Sequence, residues 1–575
     1  MKRKLSDIYC CDFETTSSAQ FNIEGRTKVY LYLIKNIKTD EELYGVNISE
    51  WYDDVIKHKI SIIYFHNLTF DGTFIINYLL NIGYESVCVN PLENQFYAII
   101  DDYNNIYSIT INHNGFIVKL LCSYKLTSLS IKKIGESLGL EKLDETHNYQ
   151  EIKKYKSLDE IPKEELLYIQ RDVDIQIKGI LWCDKLGIRN MTASSSAYSL
   201  WSKDMWCFIR DNIRTEYNDT VENMVLRSFR GGITMVNKKF AGKLIENALS
   251  YDNNSLYPAA MLGSIPIGDF KEFEKIEDIP KNYSERLYRV NILRAKIKDG
   301  YIPFIPTSKS FTFKGVYEYN ENIEMQELML WSEEYDLFAL YYEGVWEISH
   351  IVAWQGSTNV FTKYINKWRK IKENAPNPSP IRDLSKLMLN SLFGKFAQSE
   401  IRQSKKPLLD ICGDVTYVRY TSTCKRKDRK ISSRITSRAR CILIRAINKY
   451  PERFIYCDTD SIFLTGFETP DIPIDSKKFG YWKFEYYYDK IKCLKAKCYI
   501  AKIKDKEEYK SAIAGLPKSA QKTIKFDDFK NGLKLFGIKK RLKRVRGGII
   551  IDNTDFEIHV NNDNVVAFND LMLYR

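Results

Sequence analysis

Apolar stretches interrupted by acidic residues recur along the chain. Residues 454–464 are apolar or β-branched on both sides of Asp458 and Asp460, a pattern that predicts a hairpin whose turn points two carboxylates the same way. Such a pair can hold divalent cations, because hard oxygen ligands suit Mg²⁺. The same short string is also typical of a solvated turn, so its meaning depends on the rest of the chain.

Two strands near the N terminus are predicted to end in acidic groups. Residues 8–16 predict a buried strand with Asp12 and Glu14 at positions i and i+2, and therefore on one face. Residues 62–72 form an apolar strand that continues into polar groups, Asp71 and a predicted helix. Repulsion between Asp12 and Glu14 is costly unless a cation lies between them.

Two predicted helices carry polar groups on one face. The pattern after Pro162 is helical and places Tyr168 and Asp172 one turn apart. Ser379 and Pro380 supply an N-cap and a first-turn proline to a second helix. The polar face of this second helix carries Arg382, Lys386, Asn390 and the Phe393-Gly394 pair, and another face carries Leu384, Leu387, Met388 and Leu392. Two cations on one face suit triphosphate oxygens, although such faces are usually only solvated.

Composition limits the class of protein. A chain of 575 residues with 44% hydrophobic and 13% aromatic residues predicts a folded protein with two or more cores. The net charge of +12 favours a polyanionic partner. The 12 cysteines lack a CxxC pair and the six histidines lack HxxxH spacing, which disfavours zinc and thioredoxin-like sites. No apolar run of roughly 18 residues occurs and no signal-like segment begins the chain, so we expect a cytoplasmic protein without a membrane span.

The N-terminal carboxylates resemble the three exonuclease motifs of the DnaQ-like 3′–5′ exonucleases attached to DNA polymerases. The resemblance rests on Asp12, Glu14, Asp71 and Asp172 with Tyr168, in this order and at these spacings. Separately, each could be a strand end, a turn or a helix surface residue. The resemblance implies that the four carboxylates bind two metals and that Tyr168 orients the attacking water. Between the motifs, His66, Asn67, Phe70, Ser123 and Tyr124 are candidates to hold a frayed 3′ end, with core packing as the alternative. Lys142 matches the family pattern poorly.

The remaining chain resembles family B DNA polymerases. Residues 252–258 match motif A, the helix after Pro380 reproduces motif B with Phe393 where Tyr is usual, and residues 456–460 match motif C. The resemblance implies that Asp252, Asp458 and Asp460, with the Asn253 carbonyl, hold the metals. The implied nucleotide contacts are Tyr257, Lys372, Arg382, Lys386, Asn390 and Phe393, with Tyr257 excluding a 2′-hydroxyl. The implied DNA contacts are Phe229, Gly231, Gly232, Ser255, Gly394, Thr436, Arg440, Lys497 and Tyr499.

The compact motifs are most similar to the protein-primed branch found in linear-genome phages. This resemblance implies an α+β and α/β multidomain fold, with an RNase H-like exonuclease domain followed by a right-hand polymerase that has two palm insertions. The expected divisions are exonuclease 1–190, palm 191–263 and 431–535, insertion 1 at 264–360, fingers 361–396, insertion 2 at 397–430 and thumb 536–575. The basic run at 539–548 predicts a structured strand on that thumb, and residues 425–427 add a further basic cluster.

The same resemblance implies the cofactors and partners. These are two Mg²⁺ ions per site, with Mn²⁺ as a substitute, together with primer-template DNA, dNTPs, a terminal protein that supplies the priming hydroxyl and a single-strand-binding protein. It also implies strand displacement and high processivity. The alternatives are a family B polymerase without protein priming, a nuclease whose second body only binds substrate, and a catalytically silent nucleic-acid-binding replication factor. Reverse transcriptases and RNA polymerases fit the paired aspartates but not the exonuclease motifs.

Overall fold

A mixed sheet of eight strands forms the core of the N-terminal part. The computed structural model describes residues 5–16, 27–39, 41–143, 155–213, 216–305, 321–424 and 428–560. The first strands are β1 (Ile8–Thr15), β2 (Val29–Asn36), β3 (Glu42–Gly45), β4 (Ile62–Phe65), β5 (Glu85–Val87), β6 (Gln95–Ile100), β7 (Ile106–His113) and β8 (Phe116–Cys122), in the order β3-β2-β1-β4-β8-β7-β6-β5. The helices here are α1 (Ile48–Lys57), α2 (Asp71–Asn81), α3 (Tyr124–Thr127), α4 (Ile131–Leu138) and α5 (Lys163–Lys185).

The central strands of this sheet bring acidic groups to one edge. β1 is parallel to β4, so the carboxyl ends of both strands lie at the same edge. Asp71 is the first residue of α2, which begins shortly after β4 ends. α5 packs across β1 and β2 through Ile169, Val173 and Ile177. The predicted strand and helix are therefore both observed, and they face each other.

A second, largely antiparallel sheet of seven strands lies in the C-terminal two thirds. Helices α6 (Ala193–Asp204), α7 (Trp206–Asn212) and α8 (Asp219–Ser228) precede it. Its strands are β9 (Thr234–Val236), β10 (Leu244–Asn253), β17 (Phe454–Asp458), β18 (Ser461–Thr465), β19 (Trp482–Lys495), β20 (Cys498–Ile503) and β21 (Tyr509–Ile513), in the order β21-β20-β19-β10-β18-β17-β9. The predicted hairpin is β17 and β18. β10 lies at the centre of the sheet, so its polar end is held between two neighbours.

Between β10 and β17 the chain builds a smaller sheet and a helical layer. After α9 (Leu256–Met261), the four-stranded sheet comprises β11 (Ile265–Phe273), β12 (Glu285–Ile297), β13 (Asn322–Trp331) and β14 (Tyr342–Ser357), with α10 (Ser332–Tyr341) between its last two strands. The helical layer contains α11 (Thr362–Asn374), α12 (Pro380–Phe396) and α13 (Arg429–Lys449). The Ser379 side chain accepts a hydrogen bond from the Arg382 amide, which confirms the predicted helix start.

Two long hairpins extend back to the N-terminal sheet. One is β15 (Ile401–Leu409) with β16 (Val415–Thr423), and the other, after α14 (Lys518–Gln521), is β22 (Lys534–Val545) with β23 (Gly548–Glu557). The basic run is thus a structured strand, as predicted; residues 425–427 and 561–575 lie outside the described residues. A Cβ on Gly548 would lie 2.3 Å from the Phe74 ring of α2, so only glycine allows this close approach.

Polar contacts join both hairpins to the loop between β6 and β7. The Lys405 Nζ donates to the Asp102 carbonyl and to the Asn104 Oδ1, each at 2.7 Å. Arg544 donates to the Asn104 carbonyl at 3.0 Å, and its guanidinium lies 4.1 Å from the Tyr417 ring centroid. The two hairpins and the N-terminal sheet therefore close on one another. None of the helices in the described ranges is both long and apolar enough to cross a membrane.

We expect Trp201→Ala to destabilise the layer of helices that carries α12. Trp201 is buried, its indole N–H donates to the Val360 carbonyl at 2.8 Å, and its ring lies 5.1 Å from that of Phe396. Truncating such a side chain leaves a cavity and costs about 3–5 kcal/mol. Thermal unfolding of Trp201→Ala should show a lower Tm, whereas the Tm of Trp201→Phe should stay close to that of the parent. An unchanged Tm in the alanine variant would contradict this packing.

Candidate active sites

Three carboxylates meet at the end of the seven-stranded sheet. Asp252 on β10 and Asp458 on β17 are both paired with Ser461 of β18, one on each side, so their side chains project from the same face. Asp460 follows in the turn, where Thr459 has a φ of 61°. The Asn253 amide donates to the Asp460 carbonyl at 2.6 Å. Strand register therefore unites residues that are about two hundred positions apart in sequence.

Burial and mutual repulsion set the electrostatics of this cluster. Desolvation, followed by the charges of Asp460 and Glu485, raises the pKa of Asp252 to about 7, against a lowering effect of Lys386. The pKa of Asp460 is also raised, chiefly by desolvation. A group of this kind is stabilised in its charged form by a nearby cation. The site is therefore short of positive charge.

Asp458 is held by hydroxyl groups on both sides. The Thr234 hydroxyl of β9 donates to the Asp458 Oδ1 at 2.8 Å, and the Thr459 hydroxyl donates to the same atom at 3.2 Å. The Lys497 Nζ lies 3.5 Å from it. Lys497, a predicted DNA contact, is thus next to the carboxylates.

An aromatic and cationic platform lies beside the carboxylates. The rings of Tyr257 and Phe393 are stacked, with centroids 4.2 Å apart and planes at 16°. The Lys372 Nζ donates to the Ser255 hydroxyl at 3.0 Å, and Arg382 donates to the Lys372 carbonyl at 2.9 Å. The structure therefore brings together four predicted nucleotide contacts and the predicted DNA contact Ser255; the four are Tyr257, Lys372, Arg382 and Phe393.

Lys372 has an unusually low pKa for a lysine. Burial, followed by the neighbouring charges of Arg382 and Lys386, lowers the pKa of Lys372 to about 8. Three cationic side chains crowded in one place repel one another, and a bound anion would relieve that repulsion. Lys386 and Asn390 lie on the same side of α12 as Arg382, while Leu384, Met388 and Leu392 are buried. This face of α12 is suited to a polyphosphate.

Several predicted DNA contacts are buried inside the protein. Arg440 is buried on α13 and forms a bidentate pair with Glu334, and Thr436 is buried with its hydroxyl bonded to the Ser433 carbonyl. Tyr499 is also buried, against the rings of Tyr456 and Phe463. These placements argue against direct contact of Thr436, Arg440 or the Tyr499 ring with DNA. Phe229, Gly231 and Gly232 are half-buried, and Gly394 is exposed.

The second cluster contains the N-terminal carboxylates. Desolvation and the charge of Asp172 raise the pKa of Asp12 to about 7. Desolvation and the charge of Asp12 raise the pKa values of both Glu14 and Asp71. The four predicted carboxylates from β1, α2 and α5 therefore share one electrostatic environment. Tyr168 lies on α5 one turn before Asp172 and is buried.

Lys142 belongs to this cluster, although its sequence context matched poorly. Its Nζ lies 2.5 Å from an Asp172 carboxylate oxygen and 4.9 Å from the centroid of the Tyr168 ring. Desolvation lowers the pKa of Lys142, but the charges of Asp172, Asp12 and Glu14 outweigh it, so the net shift is upward. Lys142 is thus a cation placed among acids, where it can reach an anionic substrate group.

The residues predicted to hold a strand end are only partly accessible. His66 is mostly buried, and its Nδ1 lies 3.0 Å from the buried Ser123 hydroxyl, to which the Gln176 amide donates at 3.0 Å. Burial lowers the pKa of His66 to about 4. Asn67 is exposed with a φ of 66°, and Tyr124 is partly exposed. Phe70 is partly buried against Phe74. Asn67, Phe70 and Tyr124 thus remain reachable, whereas Ser123 mainly orients His66.

The donor sets suit a hard divalent cation. Asp71 Oδ1 is a buried acceptor that receives no hydrogen bond from the described residues. The carboxylates of both clusters repel one another, as the raised pKa values of Asp71 and Asp252 indicate. Within the described ranges, however, no three His, Cys, Asp or Glu side chains converge on one point as ligands. Any ion would therefore share its coordination with backbone, water or substrate oxygens.

Sequence patterns gave no sign of the pair formed by Glu485 and Lys510. Glu485 of β19 acts electrostatically on both Asp252 and Asp460, and its carboxylate lies 2.5 Å from the Lys510 Nζ of β21. The irregular pairing of β10 with β19 between Ser250 and Tyr251 brings Glu485 to this position. A lone acid in a strand of mixed residues carries no signal, because the register that places it is a tertiary property.

Comparisons with known proteins agree with this geometry. The family model for type B DNA polymerases of organelles and viruses matches residues 140–479. The DNA polymerase of Bacillus phage phi29 is 30% identical over 97% of this chain and 100% of its own length, and that of Streptococcus phage Cp-1 is 27% identical over 96% and 98%. A structure of phi29 DNA polymerase with primer-template DNA and incoming nucleotide superposes with a TM-score of 0.88, at 30% identity, over 96% of this chain and 99% of that one.

The chain therefore belongs to the type B DNA polymerases of organelles and viruses. Within them it is of the phi29 type, a DNA-directed DNA polymerase with 3′–5′ exonuclease activity. The predicted family and fold class, an exonuclease domain joined to a right-hand polymerase, are confirmed. The nuclease-only and catalytically silent alternatives are not favoured.

The low pKa of Lys372 predicts a pH dependence of nucleotide binding. The Lys372 ammonium, which we expect to attract the triphosphate, is present below about pH 8 and is lost as the pH rises through that value. Between pH 7 and pH 9 the protonated fraction falls about tenfold, so the KM for dNTP should rise by up to about tenfold. Steady-state extension at several pH values measures this.

Lys372→Arg is the matched control, because arginine stays charged throughout this range. In Lys372→Arg, the rise in the KM for dNTP between pH 7 and pH 9 that comes from deprotonation of Lys372 should disappear. Parallel KM profiles for the two proteins would show that Lys372 does not contact the nucleotide.

Proposed function

We propose that this polymerase extends DNA by two-metal phosphoryl transfer, removes mispaired 3′ ends at its N-terminal carboxylates, and begins synthesis on a terminal protein. One observation supports the first two activities. The described residues hold two separate groups of mutually repelling carboxylates, one largely buried around Glu14, Asp71 and Asp172 and one half-buried at Asp252, Asp458 and Asp460, and of these two the second has the cationic and aromatic platform beside it.

In the polymerase site, Asp252, Asp458 and Asp460, with an Asn253 oxygen, would hold Mg²⁺, for which Mn²⁺ can substitute. When bound, the ions lower the pKa of the primer hydroxyl and neutralise charge that develops on the phosphates. Arg382, Lys386 and Lys372 bind the triphosphate and stabilise the leaving pyrophosphate.

The aromatic pair selects and positions the nucleotide. Tyr257 lies under the incoming sugar, where its ring leaves no room for a 2′-hydroxyl, and its stacking on Phe393 fixes that position. Asn390 and Phe393 lie against the forming base pair. Phe393 lacks the hydroxyl usual in the family, so it contributes stacking alone.

In the exonuclease site, Asp12, Glu14, Asp71 and Asp172 would hold the ions. Tyr168 orients the attacking water, and Lys142, beside Asp172, neutralises the phosphate being cleaved. Asn67, Phe70 and Tyr124 hold the frayed strand by stacking and hydrogen bonding. His66, oriented by Ser123, lines the same path.

The partners follow from likeness to the phi29 enzyme, whose structures contain primer-template DNA and incoming nucleotides. We assign the sheet of β11–β14 to insertion 1 and to contact with the terminal protein. The β15–β16 hairpin is assigned to insertion 2 and strand displacement, and β22–β23 to the thumb that grips the duplex. Gly231, Gly232 and Lys497 contact the primer-template near the carboxylates. A single-strand-binding protein would cover the displaced strand in the host cytoplasm.

The two activities should be separable by substitution. Asp458→Asn should abolish primer extension, because the site loses a charged ligand, and leave degradation of single-stranded DNA within about twofold of the parent. The double variant Asp12→Ala and Asp71→Ala should do the reverse. Gel assays of extension and degradation with Mg²⁺ measure both. Extension retained by Asp458→Asn would refute the assignment of the polymerase site.

Protein priming should yield a covalent adduct. The purified polymerase is incubated with dATP or another labelled dNTP, Mg²⁺ and the candidate terminal protein, without any oligonucleotide. We expect labelled terminal protein on a denaturing gel, and none with Asp458→Asn. Extension of an oligonucleotide primer without adduct formation would favour the primer-dependent alternative.

A further inference from the structure

A buried ion pair joins insertion 1 to the helix behind the polymerase site. Glu334 of α10 accepts two hydrogen bonds from Arg440 of α13, at 3.0 Å from Nε and 3.0 Å from an Nη. The Ser437 hydroxyl donates to the same carboxylate at 3.1 Å, and Arg230 approaches it at 3.4 Å. The side chains of Glu334 and Arg440 are each 1% exposed. Such a pair cannot lose one partner without leaving an uncompensated buried charge.

The Arg440 guanidinium also reaches the main chain of a neighbouring segment. Its remaining Nη donates to the Arg230 carbonyl at 2.5 Å and lies 3.4 Å from the Gly231 carbonyl. Glu334 thus fixes the guanidinium from one side, and the guanidinium fixes residues 230 and 231 from the other. Arg230 itself donates to the Met329 carbonyl of β13 at 2.8 Å, which adds a second tie to insertion 1.

This segment packs directly against the turn between the catalytic aspartates. A Cβ on Gly232 would lie 2.8 Å from the Thr459 side chain, so the glycine allows contact that no other residue could make. The Thr459 amide donates to the Ile233 carbonyl at 2.7 Å, and the Thr234 hydroxyl donates to Asp458 at 2.8 Å. Residues 232–234 therefore set both the backbone of the turn and the orientation of Asp458.

We propose that Glu334 is a positioning residue for the polymerase site, acting through Arg440 and residues 230–234 on Asp458 and Asp460. Insertion 1 then contributes to polymerisation itself, besides any role in contacting a priming protein. The inference rests on the proposed assignment of Asp458 and Asp460 as metal ligands. Glu334 touches neither substrate nor metal, and its effect is on the placement of groups that do.

The test compares Glu334→Gln with Glu333→Gln in the full-length protein. Glu333 is the adjacent residue of α10 and also pairs with arginines of α13, with Arg434 at 3.2 Å and Arg445 at 2.7 Å, whereas Arg440, the arginine bonded to residues 230 and 231, pairs with Glu334. Both changes preserve side-chain size and remove one charge between the same two helices. A loss common to both variants would reflect docking of α10 alone.

The first readout needs neither metal nor activity. Hydrogen–deuterium exchange, followed by mass spectrometry of peptides covering residues 230–236 and 456–461, should be faster in Glu334→Gln and unchanged in Glu333→Gln. The second readout is the Mg²⁺ concentration that half-saturates primer extension, which should rise about tenfold in Glu334→Gln only. The Mg²⁺ dependence of single-strand degradation, which uses the N-terminal site, should be unaffected in both.

The outcomes separate this inference from the proposed function. The positioning role would be overturned if Glu334→Gln matched Glu333→Gln in both hydrogen exchange and Mg²⁺ dependence. In that case, loss of primer extension in Asp458→Asn would still support the proposed polymerase site. If Glu334→Gln lacks a cooperative melting transition, Ser437→Ala replaces it, because it removes the hydrogen bond of a neutral hydroxyl to the same carboxylate and leaves the ion pair in place. That variant should show a smaller shift in the same two readouts, and no shift would overturn the inference.

Discussion

Carboxylates held close together and partly withdrawn from water are the constraint on which both candidate active sites depend. Burial and like charge disfavour ionisation of Asp12 and Asp252, and their neighbours add to that cost. A fold can retain such groups only when its scaffold is rigid enough to oppose their repulsion, or when cations relieve it. In both sites the acids come from strands, from helices packed on strands or, for Asp460, from the tight turn between two paired strands. Both groups of carboxylates are therefore suited to bind cations.

Elsewhere the chain neutralises its buried acids internally. Burial raises the pKa of Glu334, yet the charges of Arg230 and Arg440 outweigh it and the net shift is downward. Arg445 and Arg434 likewise keep Glu333 ionised. The contrast is informative, because the same chemical group is paired where it supports structure and left with other acids where it performs chemistry. The raised pKa values of Asp12, Asp252 and Asp460 therefore contrast with the lowered pKa values of Glu333 and Glu334, which are paired with arginines.

The two activities are joined by the closure of the chain on itself. The β15–β16 and β22–β23 hairpins, both distant in sequence from the first sheet, are held to its β6–β7 loop by Lys405 and Arg544. Gly548 lies so close to Phe74 that the β22–β23 hairpin and α2, which begins with Asp71, form one packed unit. The C-terminal hairpins and the part of the molecule that holds Asp71 therefore pack as neighbours.

Local pattern was enough to predict the strand that carries Asp12, the strand that ends at Asp458 and the helix over residues 380–396, whereas the family and the fold class came from the resemblance of the motifs. Alternation and capping are properties of neighbouring residues, so the sequence alone determines them. The surroundings of Arg440, Lys142 and Glu485 were decided only by tertiary structure. A sequence motif placed Arg440 at DNA, whereas packing of α10 on α13 encloses it with Glu334. Strand register and helix packing bring together residues that are distant in sequence. The charged groups around a side chain therefore cannot be predicted from the residues next to it in the chain.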